Sequence, residues 1–465
     1  MQFQITTEYL DALKEAISAG NDAYINNLLQ ELHASDIAEI FNELDLEESK
    51  FVYKHLDDEE AGKVLVEMDE DVRERFLASL TSKEIAEQFI DNMESDDAAD
   101  VISELPDKVQ NEVLSHIEDA EQASDIVDLL NYDENTAGGL MAKELVKVNL
   151  NKTMLDCVRE LRAHADEIKH IYAIYVVDDD DKLVGLISLK KVLTTSLRSP
   201  IRAVFNTEII SVKTNTDAEE AAKVMEKYDL VVLPVVDAIG RLVGRITIDD
   251  VIDVIRKEET EDVQKMGGME VLDEPYMTMP FWPLIKKRAG WLVILFIGET
   301  FTATAMSFFE DQIAKAVVLA LFVPLIISSG GNTGSQASTL IIRSLALGEV
   351  TIKEWWRIIK KELLVGFMLG LILGCIGFVR IALWTRIFKN VYGEHWLAVA
   401  FTVGSSLIGV VLWGNLSGSI LPIILKKFGR DPAVSSAPFV ATLVDVTGLV
   451  IYFSVATLML KGILL

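Results

Sequence analysis

The chain has 465 residues, 50% of them hydrophobic, and a formal net charge of −29. This length has room for about three domains. Residues 276–465 contain 9 acidic and 16 basic residues, a net charge of +7, whereas residues 1–275 carry −36. A front this acidic repels nucleic acid and attracts cations, so we exclude nucleic acid as a partner. The two cysteines, Cys157 and Cys375, provide no disulfide framework, as expected in a reducing cytoplasm.

Residues 1–135 predict an acidic domain of short helices. Apolar and acidic positions alternate at helical spacing, and the pieces "DIAEIFNEL", "EAGKVLVEM" and "EIAEQFIDN" recur every 24 residues. Recurrence at a fixed period is typical of stacked helical repeats, so we expect an all-α superhelical domain. The start "MQFQITTEYLDALKE" lacks the basic and apolar segments of a signal peptide, which favours a cytosolic location for this domain.

Residues 136–256 contain a sharper repeat. "IYAIYVVDDDDKLVGLISLKKVL" realigns on "LVVLPVVDAIGRLVGRITIDDVI" at an offset of 59 residues. Each copy predicts a strand, an Asp-containing turn, a second strand and a helix. The duplication resembles a tandem pair of CBS domains, at 138–200 and 201–256. Such a pair is an α/β module that usually regulates a neighbouring domain rather than catalysing a reaction.

A polar helix is predicted from Thr247 to the glycines at 267 and 268, with acids at 249, 250, 253, 258, 259, 261 and 262. Acids spread round so much of a helix keep it out of a core. We interpret it as a connection to the membrane, with its end and a linker in residues 257–280.

Residues 281–465 predict a membrane domain of five α-helices, at 289–309, 315–342, 361–384, 396–425 and 434–463. Each segment exceeds the roughly 20 residues that cross a bilayer. With the front in the cytoplasm, 11 basic residues lie on the inner side and 5 on the outer side, as the positive-inside rule requires. We expect a multi-pass protein of the bacterial cytoplasmic (inner) membrane with its C-terminus outside.

Ionisable side chains inside these segments are few, and they include Glu299, Arg380 and Asp445. A carboxylate inside a span is costly and is by default a functional candidate, so Asp445 predicts a cation pathway. One such acid per chain is sparse, which favours a two-fold homodimer that pairs two of them on the pore axis. Glu299 faces either the dimer cavity or the outer mouth.

The stretch "PLIISSGGNTGSQAS", residues 324–338, is unusually polar for membrane depth. Lipid cannot satisfy free backbone groups, so such a segment requires surrounding protein or a water-filled cavity. We expect its glycines, Gly330, Gly331 and Gly334, to turn carbonyls toward a cavity, with side-chain dipoles from Asn332, Thr333 and Gln336. These hard oxygen donors, without a His or Cys cluster, suit Mg²⁺ better than zinc, copper or nickel.

Two of these stretches carry a family resemblance. "PLIISSGGNTGSQ", followed about a hundred residues later by "APFVATLVDVTG", resembles the two signature spans of the MgtE family of bacterial magnesium channels. The order of acidic helical domain, CBS pair, acidic connecting helix and five spans resembles that family over the entire chain. The resemblance implies a homodimeric Mg²⁺-selective channel in membrane lipid, with Mg²⁺ as substrate and as the regulator that closes the pore. It implies no enzymatic activity.

The resemblance also assigns residues. Asp445 would hold the hydrated ion with the carbonyl of Ala441, and Asn332 would lie near the narrow part of the pore beside Gly331 and Gly334. The sensor acids would be those of the connecting helix, termed the plug, and of the "SDDAAD" corner: Asp96, Asp97, Asp249, Asp250, Asp253, Glu258, Glu259 and Asp262.

Some CBS pairs hold adenine nucleotides. "GRITIDD" gives Thr247 with Asp250 three residues later, the usual ribose-binding spacing, and this implies one ATP site. The first repeat has Ser188 but Lys191 in place of the acid.

Other functions remain open on the sequence. An ion-coupled carrier or exchanger for Mg²⁺ or another divalent cation, such as Co²⁺ or Mn²⁺, can also contain broken helices and an intramembrane acid. A CBS-regulated membrane enzyme would need a cluster of His, Cys or several carboxylates facing a cavity, and the spans contain no such pattern. A chloride channel with CBS domains would need many more spans.

Overall fold

The computed structural model describes residues 5–30, 32–165, 168, 170–272, 276–388 and 391–464. By internal contacts the chain divides into two compact units, Met1–Glu258 and Glu259–Leu465. The first unit contains short helices and two small sheets, and the second contains the long apolar helices. The multidomain fold class expected from the sequence is confirmed.

The described part of the N-terminal region forms ten α-helices: α1 Thr7–Ala19, α2 Asp22–Leu29, α3 Ala34–Asn42, α4 Leu46–Tyr53, α5 Asp58–Glu67, α6 Glu70–Leu77, α7 Ser82–Gln88, α8 Ser95–Ser103, α9 Asp107–Leu114 and α10 Ala120–Leu129. Several begin at side chains that satisfy free backbone amides, as Asp45 and Thr81 do in capping boxes. Their apolar faces enclose aromatic contacts, including Phe76 against Phe41 and Phe89. These helices are the acidic superhelix that the 24-residue period predicts.

The two CBS-like repeats each contain a three-stranded sheet. The strands are β1 Lys147–Asn149, β2 Ala173–Val177, β3 Leu183–Ser188, β4 Val212–Lys213, β5 Val232–Val236 and β6 Leu242–Thr247, and the helices are α11 Met154–Ala163, α12 Leu189–Thr194 and α13 Ala218–Tyr228. In each sheet the first pair of strands is parallel and the second pair antiparallel. The 59-residue offset relates β2 to β5 and β3 to β6 residue by residue.

The same offset relates the turns between these strands. Asp181 and Gly240 are equivalent, and both adopt positive φ angles, 59° and 88°. The amide of Leu183 donates to the Gly240 carbonyl and the amide of Leu242 donates to the Asp181 carbonyl, each at 3.1 Å. The two repeats therefore contact each other through equivalent turns, as an internal duplication with two-fold character predicts.

The second repeat shares its core with the helical domain. Val212, Leu233 and Ile246 belong to the same buried apolar cluster as Phe76, Phe89 and many other side chains of the N-terminal helices. The first repeat has its own cluster around Val146, Ile174 and Ile187. The N-terminal helices consequently fold against the second repeat rather than forming a separate body.

The long helices are α14 Ile248–Met266, α15 Phe281–Phe308, α17 Val323–Ala346, α18 Trp355–Ile387, α19 Trp396–Lys427 and α20 Ala437–Leu460, with a short α16 at Glu310–Lys315. Among the described residues, five helical segments are long and apolar enough to cross a membrane: Phe281–Phe308, Val317–Ala346, Ile352–Ile387, Trp396–Lys427 and Ala437–Leu460. Each corresponds to one of the five predicted spans, and the polar α14 ends before Gly267 as expected.

Helix α19 is the centre of the membrane unit. It packs against α17, α18 and α20, and 56% of its most apolar stretch is buried, against 6% for α15. The approach of α17 to α19 depends on glycine, because a Cβ on Gly414 or Gly418 would collide with the carbonyl oxygen of Gly330 or Gly334. Small residues at such positions allow helix backbones to pack closely in membranes.

Candidate ion pathway and acidic cluster

The polar stretch at 324–338 is helical throughout, as part of α17. This differs from the expectation of glycine carbonyls turned toward a cavity. The carbonyls of Gly330 and Gly334 instead face the glycines of α19, where close helix packing accounts for them. Gly330 and Gly334 therefore serve the approach of α17 to α19, and any pathway here lies on the other faces of α17.

Asp445 lies directly against α17. A Cβ on Gly331 would stand 3.5 Å from Oδ1 of Asp445 and 3.4 Å from the Cβ of Ala441. Three predicted pore residues, Gly331, Ala441 and Asp445, are therefore neighbours on facing helices. Asp445 is partly exposed, and a partly exposed carboxylate in a membrane span needs water, protein or a cation on its open side.

Glu299 is brought to the same region. It follows Gly298, where an added Cβ would stand 2.8 Å from Cγ2 of Thr442 on α20. Glu299 itself is exposed on α15, and Thr442 lies three positions before Asp445 on α20. Two acids of like charge at membrane depth favour a cation between or beside them.

A polar stripe runs along the exposed side of α17. Ser328, Asn332, Gln336 and Thr339 are all exposed, and Nδ2 of Asn332 donates to Oγ of Ser328 at 3.4 Å. Amide and hydroxyl groups facing outward from a span are not compatible with lipid tails. Asn332 therefore lies on a face of α17 that must contact water or another protein surface. Gly334 lies on the face that packs against α19.

Sequence reasoning missed one polar pair between α18 and α19. Nδ2 of Asn415, which is 3% exposed, donates at 2.8 Å to both the backbone carbonyl and Oε2 of Glu362. Glu362 lies within the third predicted segment. Because it follows Lys360 and Lys361, the sequence there indicates only the charged end of a span. The available signal was the lone amide of Asn415 in an otherwise apolar helix, which needs a partner.

The predicted sensor acids Asp96 and Asp250 come together in the first unit. Burial, followed by the neighbouring Asp250 carboxylate, raises the pKa of Asp96 well above its ordinary value. Burial, followed by Asp249 and Asp97, raises the pKa of Asp250 to about 7, against hydrogen bonds from Thr247 that lower it. Asp96 is 7% exposed. Carboxyl groups in this situation bind a proton or a cation more readily than isolated ones.

Two further groups belong to this acidic cluster. Arg245, 3% exposed, lies 3.5 Å from the Glu94 carboxylate and donates to the His170 carbonyl at 2.6 Å. Glu144 accepts hydrogen bonds from the amide and hydroxyl of Ser95, at 3.0 and 2.9 Å. Neither Glu94 nor Glu144 was predicted as a site residue, because the pattern "SDDAAD" alone does not indicate which distant acids fold against it.

The remaining sensor candidates are distributed along α14. Asp249 is exposed, and Asp253 lies 3.7 Å from Arg256 on its own helix. Glu259 lies 3.4 Å from Arg343 of α17. Glu258 and Asp262 are half-buried. The predicted set therefore divides between the acidic cluster around Asp96 and the later turns of α14.

Thr247 and Asp250 bond to each other. Oδ2 of Asp250 accepts from the amide and hydroxyl of Thr247 at 3.1 and 2.7 Å, and Thr247 is 6% exposed. This is the geometry of a helix cap at the start of α14. The Thr247 to Asp250 spacing therefore has a structural role in this arrangement.

No group of three or more His, Cys, Asp or Glu side chains is positioned to hold a metal ion within the described ranges. The acids of the cluster are near enough to influence one another electrostatically but are not arranged as a closed ligand set. A cation at either region would be held through its water shell or by a rearrangement of these side chains.

Comparison with known proteins agrees with this architecture. Residues 323–455 match the divalent cation transporter family MgtE, residues 32–135 match the MgtE intracellular N domain, and residues 137–198 and 201–257 match CBS domains. The magnesium transporter MgtE of Thermus thermophilus is 41% identical over 335 residues, which are 72% of this chain and 72% of that protein. The chain belongs to the MgtE family. The MgtE of Enterococcus faecalis is 34% identical over 337 residues, again 72% of each chain.

Two solved structures of the soluble parts of magnesium transport proteins each align with about half of this chain. The soluble part of a magnesium transporter aligns with 54% of this chain and 98% of its own, at 30% identity and a TM-score of 0.48. The cytosolic domain of the Mg²⁺ channel MgtE in complex with ATP aligns with 53% of this chain and 99% of its own, at 33% identity and a TM-score of 0.49. The family resemblance drawn from the signature spans is confirmed by the match of residues 323–455 to the MgtE family and by the Thermus thermophilus relative.

Proposed function

We propose that this chain is a transporter, rather than an enzyme, that carries Mg²⁺ across the bacterial cytoplasmic membrane as a channel. The observation that supports this most is the juxtaposition of Asp445 with Gly331 and Ala441 at membrane depth. A partly exposed carboxylate at this depth would hold a hydrated cation on its open side, and Mg²⁺ is the ion that gives up its water shell most reluctantly. The magnesium transport of the related MgtE proteins agrees with this choice of ion.

The pore belongs to a homodimer in this proposal. The polar stripe of α17, with Asn332 and Gln336 exposed, would face water and a second copy across a two-fold axis instead of lipid. Asp445 of each copy, with the Ala441 carbonyl, would hold the hydrated ion. Gly331 allows the α17 backbone to lie beside that carboxylate, and Gly334 contributes by allowing α17 to approach α19.

Mg²⁺ would also act as the regulator. Asp96, Asp97, Asp249 and Asp250 form one sensor region, and the later acids of α14, namely Asp253, Glu258, Glu259 and Asp262, form another. Because burial already disfavours the charged form of Asp96 and Asp250, a bound cation would relieve a cost that is present in this compact arrangement. A ligand that binds the compact state better shifts the equilibrium toward it, and we propose that this closes the pore.

The remaining assignments follow the family pattern. We propose domains at 1–135, 136–256 (CBS repeats 138–200 and 201–256), 257–280 and 281–465, with the front in the cytoplasm and the C-terminus outside. One ATP would bind the CBS pair beside Thr247 and Asp250, in exchange for part of the Thr247 to Asp250 hydrogen bonding. Isothermal titration of the full chain with ATP, compared with Thr247→Val, tests that site.

The central test is Mg²⁺ flux into proteoliposomes. Asp445→Asn should abolish flux while insertion and dimer formation persist, because the substitution removes a charge but little volume. Asp311→Asn, an exposed acid on α16, is the matched control and should leave flux unchanged. Normal flux through Asp445→Asn would refute the pore assignment. Single-channel currents separate a channel from an ion-coupled carrier or exchanger, whose turnover would give none.

A further inference from the structure

A cavity of about 380 Å³ lies at one end of the membrane unit, between the end of α17, the chain at 348–353 that follows it and the end of α19. Its apolar floor consists of Leu345, Val350 and Ile352, which belong to or pack against a small buried cluster. Lys353 and Lys426 form its polar side. The cavity is thus both apolar and cationic, which is unlike the acidic pathway around Asp445.

Lys426 is fixed in place at the cavity wall. Its Nζ donates at 2.9 Å to the backbone carbonyl of Leu345 in the last turn of α17. A cation at this point adds a second donor to a carbonyl that also accepts from the amide of Gly348 at 3.4 Å, and it lies at the negative end of the helix dipole. Gly348, with φ of 68°, then turns the chain along the cavity toward Lys353.

The two acids nearest to the cavity in sequence have partners of their own, and one of these partners is Thr351 of the cavity lining. Glu349 accepts from Oγ of Ser344 at 3.1 Å, and Glu354 accepts from the amide of Thr351 at 3.1 Å and lies 3.6 Å from Arg357. Lys353 is exposed. The surrounding exposed side chains add positive charge: Arg357, Lys360, Lys361, Lys427 and Arg430.

Exposed apolar side chains adjoin this basic end. Leu347 is 50% exposed, Trp355 is 49% exposed and Phe428 is 76% exposed. Tryptophan and phenylalanine beside basic residues are typical of the boundary between lipid headgroups and acyl chains. An occupant must therefore present an anionic group to two lysines and continue into an apolar tail.

We propose that this cavity binds the phosphate headgroup of an anionic phospholipid, with Lys353 and Lys426 as its charged contacts and Leu345, Val350 and Ile352 beneath the glycerol and first methylenes. Basic pockets between transmembrane helices bind such headgroups on the cytoplasmic side, where the leaflet is negatively charged. The side of the membrane rests on the orientation proposed above. Since the lipid joins the ends of α17 and α19, it stabilises the two helices whose glycines pack together beside the candidate pathway.

The test is native mass spectrometry of the full-length protein released from nanodiscs that contain equal amounts of phosphatidylglycerol and phosphatidylcholine. We expect selective retention of phosphatidylglycerol, and Lys353→Gln should reduce that retention severalfold. Lys427→Gln is the matched control, because it removes the same charge from an exposed neighbour of Lys426 that does not line the cavity. Lys426→Gln should reduce the retention of phosphatidylglycerol in the same way. Lys353→Gln is the more decisive variant, because its exposed side chain can be replaced without disturbing the end of a helix.

Three results would overturn the proposal: equal retention of the two lipids, an equal loss in Lys427→Gln, or displacement of the retained lipid by millimolar inorganic phosphate. The second would indicate a diffuse basic surface and the third a site for free anions. None of these readings requires transport activity. The outcome is therefore independent of whether Asp445 carries the ion.

Discussion

Oδ1 of Asp445 on α20 lies 3.5 Å from the position that a Cβ on Gly331 of α17 would occupy. Because residue 331 is a glycine, α17 approaches this carboxylate oxygen with its backbone rather than with a side chain. The same helix uses Gly330 and Gly334 to approach α19. Adjacent glycines of α17 therefore have different roles, one toward the candidate ion site and two toward packing, and substitutions can separate these roles.

We expect Gly331→Val to block Mg²⁺ flux while the protein still inserts and dimerises. A Cβ at 331 meets only ordinary van der Waals contacts, but the added methyl groups of valine would extend into the space beside Asp445. Gly414→Ala should instead destabilise the helix bundle by about 1–3 kcal/mol or more, because the new Cβ meets a backbone carbonyl that cannot give way. Flux and thermal unfolding of both variants distinguish the two effects, and unimpaired flux in Gly331→Val would contradict an ion site there.

Several parts of this arrangement could be read from the sequence. The 59-residue repeat predicted the equivalent strands β2 and β5, and β3 and β6, because burial repeats residue by residue when a module is duplicated. The five spans were predictable because length and hydropathy suffice in a bilayer. Asp445 stood out because a lone acid in an apolar helix has a cost that only function or a partner explains.

The other features of the membrane unit could not be predicted, because they depend on contacts between helices that are distant in sequence. The stretch at 324–338 contains three glycines and many hydroxyls, yet α17 is a regular helix because those glycines pack against α19. Composition alone does not separate a helix that packs closely from one that is interrupted. Similarly, Glu362 has its partner Asn415 53 residues away, and no local pattern links the two.

We expect acid to protect the cluster around Asp96 and Asp250 from local opening. Their pKa values are raised above the ordinary value near 3.8, so the folded state binds more protons than the unfolded state between about pH 4 and pH 7. Stability therefore falls as pH rises through this window. For Asp250, a pKa of about 7 corresponds to at most about 4 kcal/mol.

Hydrogen exchange of α8 and the first turns of α14 in the full-length protein measures this at pH 5.5 and pH 8. Asp250→Asn should slow exchange at pH 8 and flatten the pH dependence. Glu226→Gln, an exposed acid on α13, should leave both unchanged. Mg²⁺ should slow exchange mainly at pH 8, where the carboxylates are charged, and an effect of equal size at pH 5.5 would argue against binding at these acids.

Mg²⁺ binding to the later acids of α14 should protect residues 257–268 from protease. Arg343→Gln should lower the Mg²⁺ concentration that this protection requires. Glu259 lies 3.4 Å from Arg343, so Mg²⁺ must compete with a guanidinium for that carboxylate. The pair is exposed and is worth at most about 1 kcal/mol, which corresponds to a shift of up to about fivefold. Arg357→Gln, whose partner Glu354 lies on the adjoining turn, is the control and should cause no shift.

Neutralising the acids of this region should have the opposite effect. With Glu258, Glu259 and Asp262 replaced by their amides, fewer carboxylates distinguish the compact from the open state, so protection should require more Mg²⁺. The flux measured in parallel should persist at Mg²⁺ concentrations that close the unmodified protein. Identical digestion of the two proteins across the Mg²⁺ range would remove α14 from the sensor.

Asp96→Asn with Asp97→Asn should blunt closure by Mg²⁺ without affecting the open pore. The two substitutions remove charge from the acidic cluster but keep the shared core of the N-terminal helices and the second repeat. Deleting residues 1–135 is a less direct test, because it would also expose Val212, Leu233 and Ile246 and so destabilise the second repeat.

The control for the Asp96 and Asp97 variant is Glu8→Gln with Asp11→Asn, two exposed acids of α1. It removes the same charge and should leave closure intact. If flux through the Asp96 and Asp97 variant falls at the same cytosolic Mg²⁺ as in the unmodified protein, these acids do not sense the ion; if the α1 variant is blunted equally, overall charge rather than the cluster governs closure.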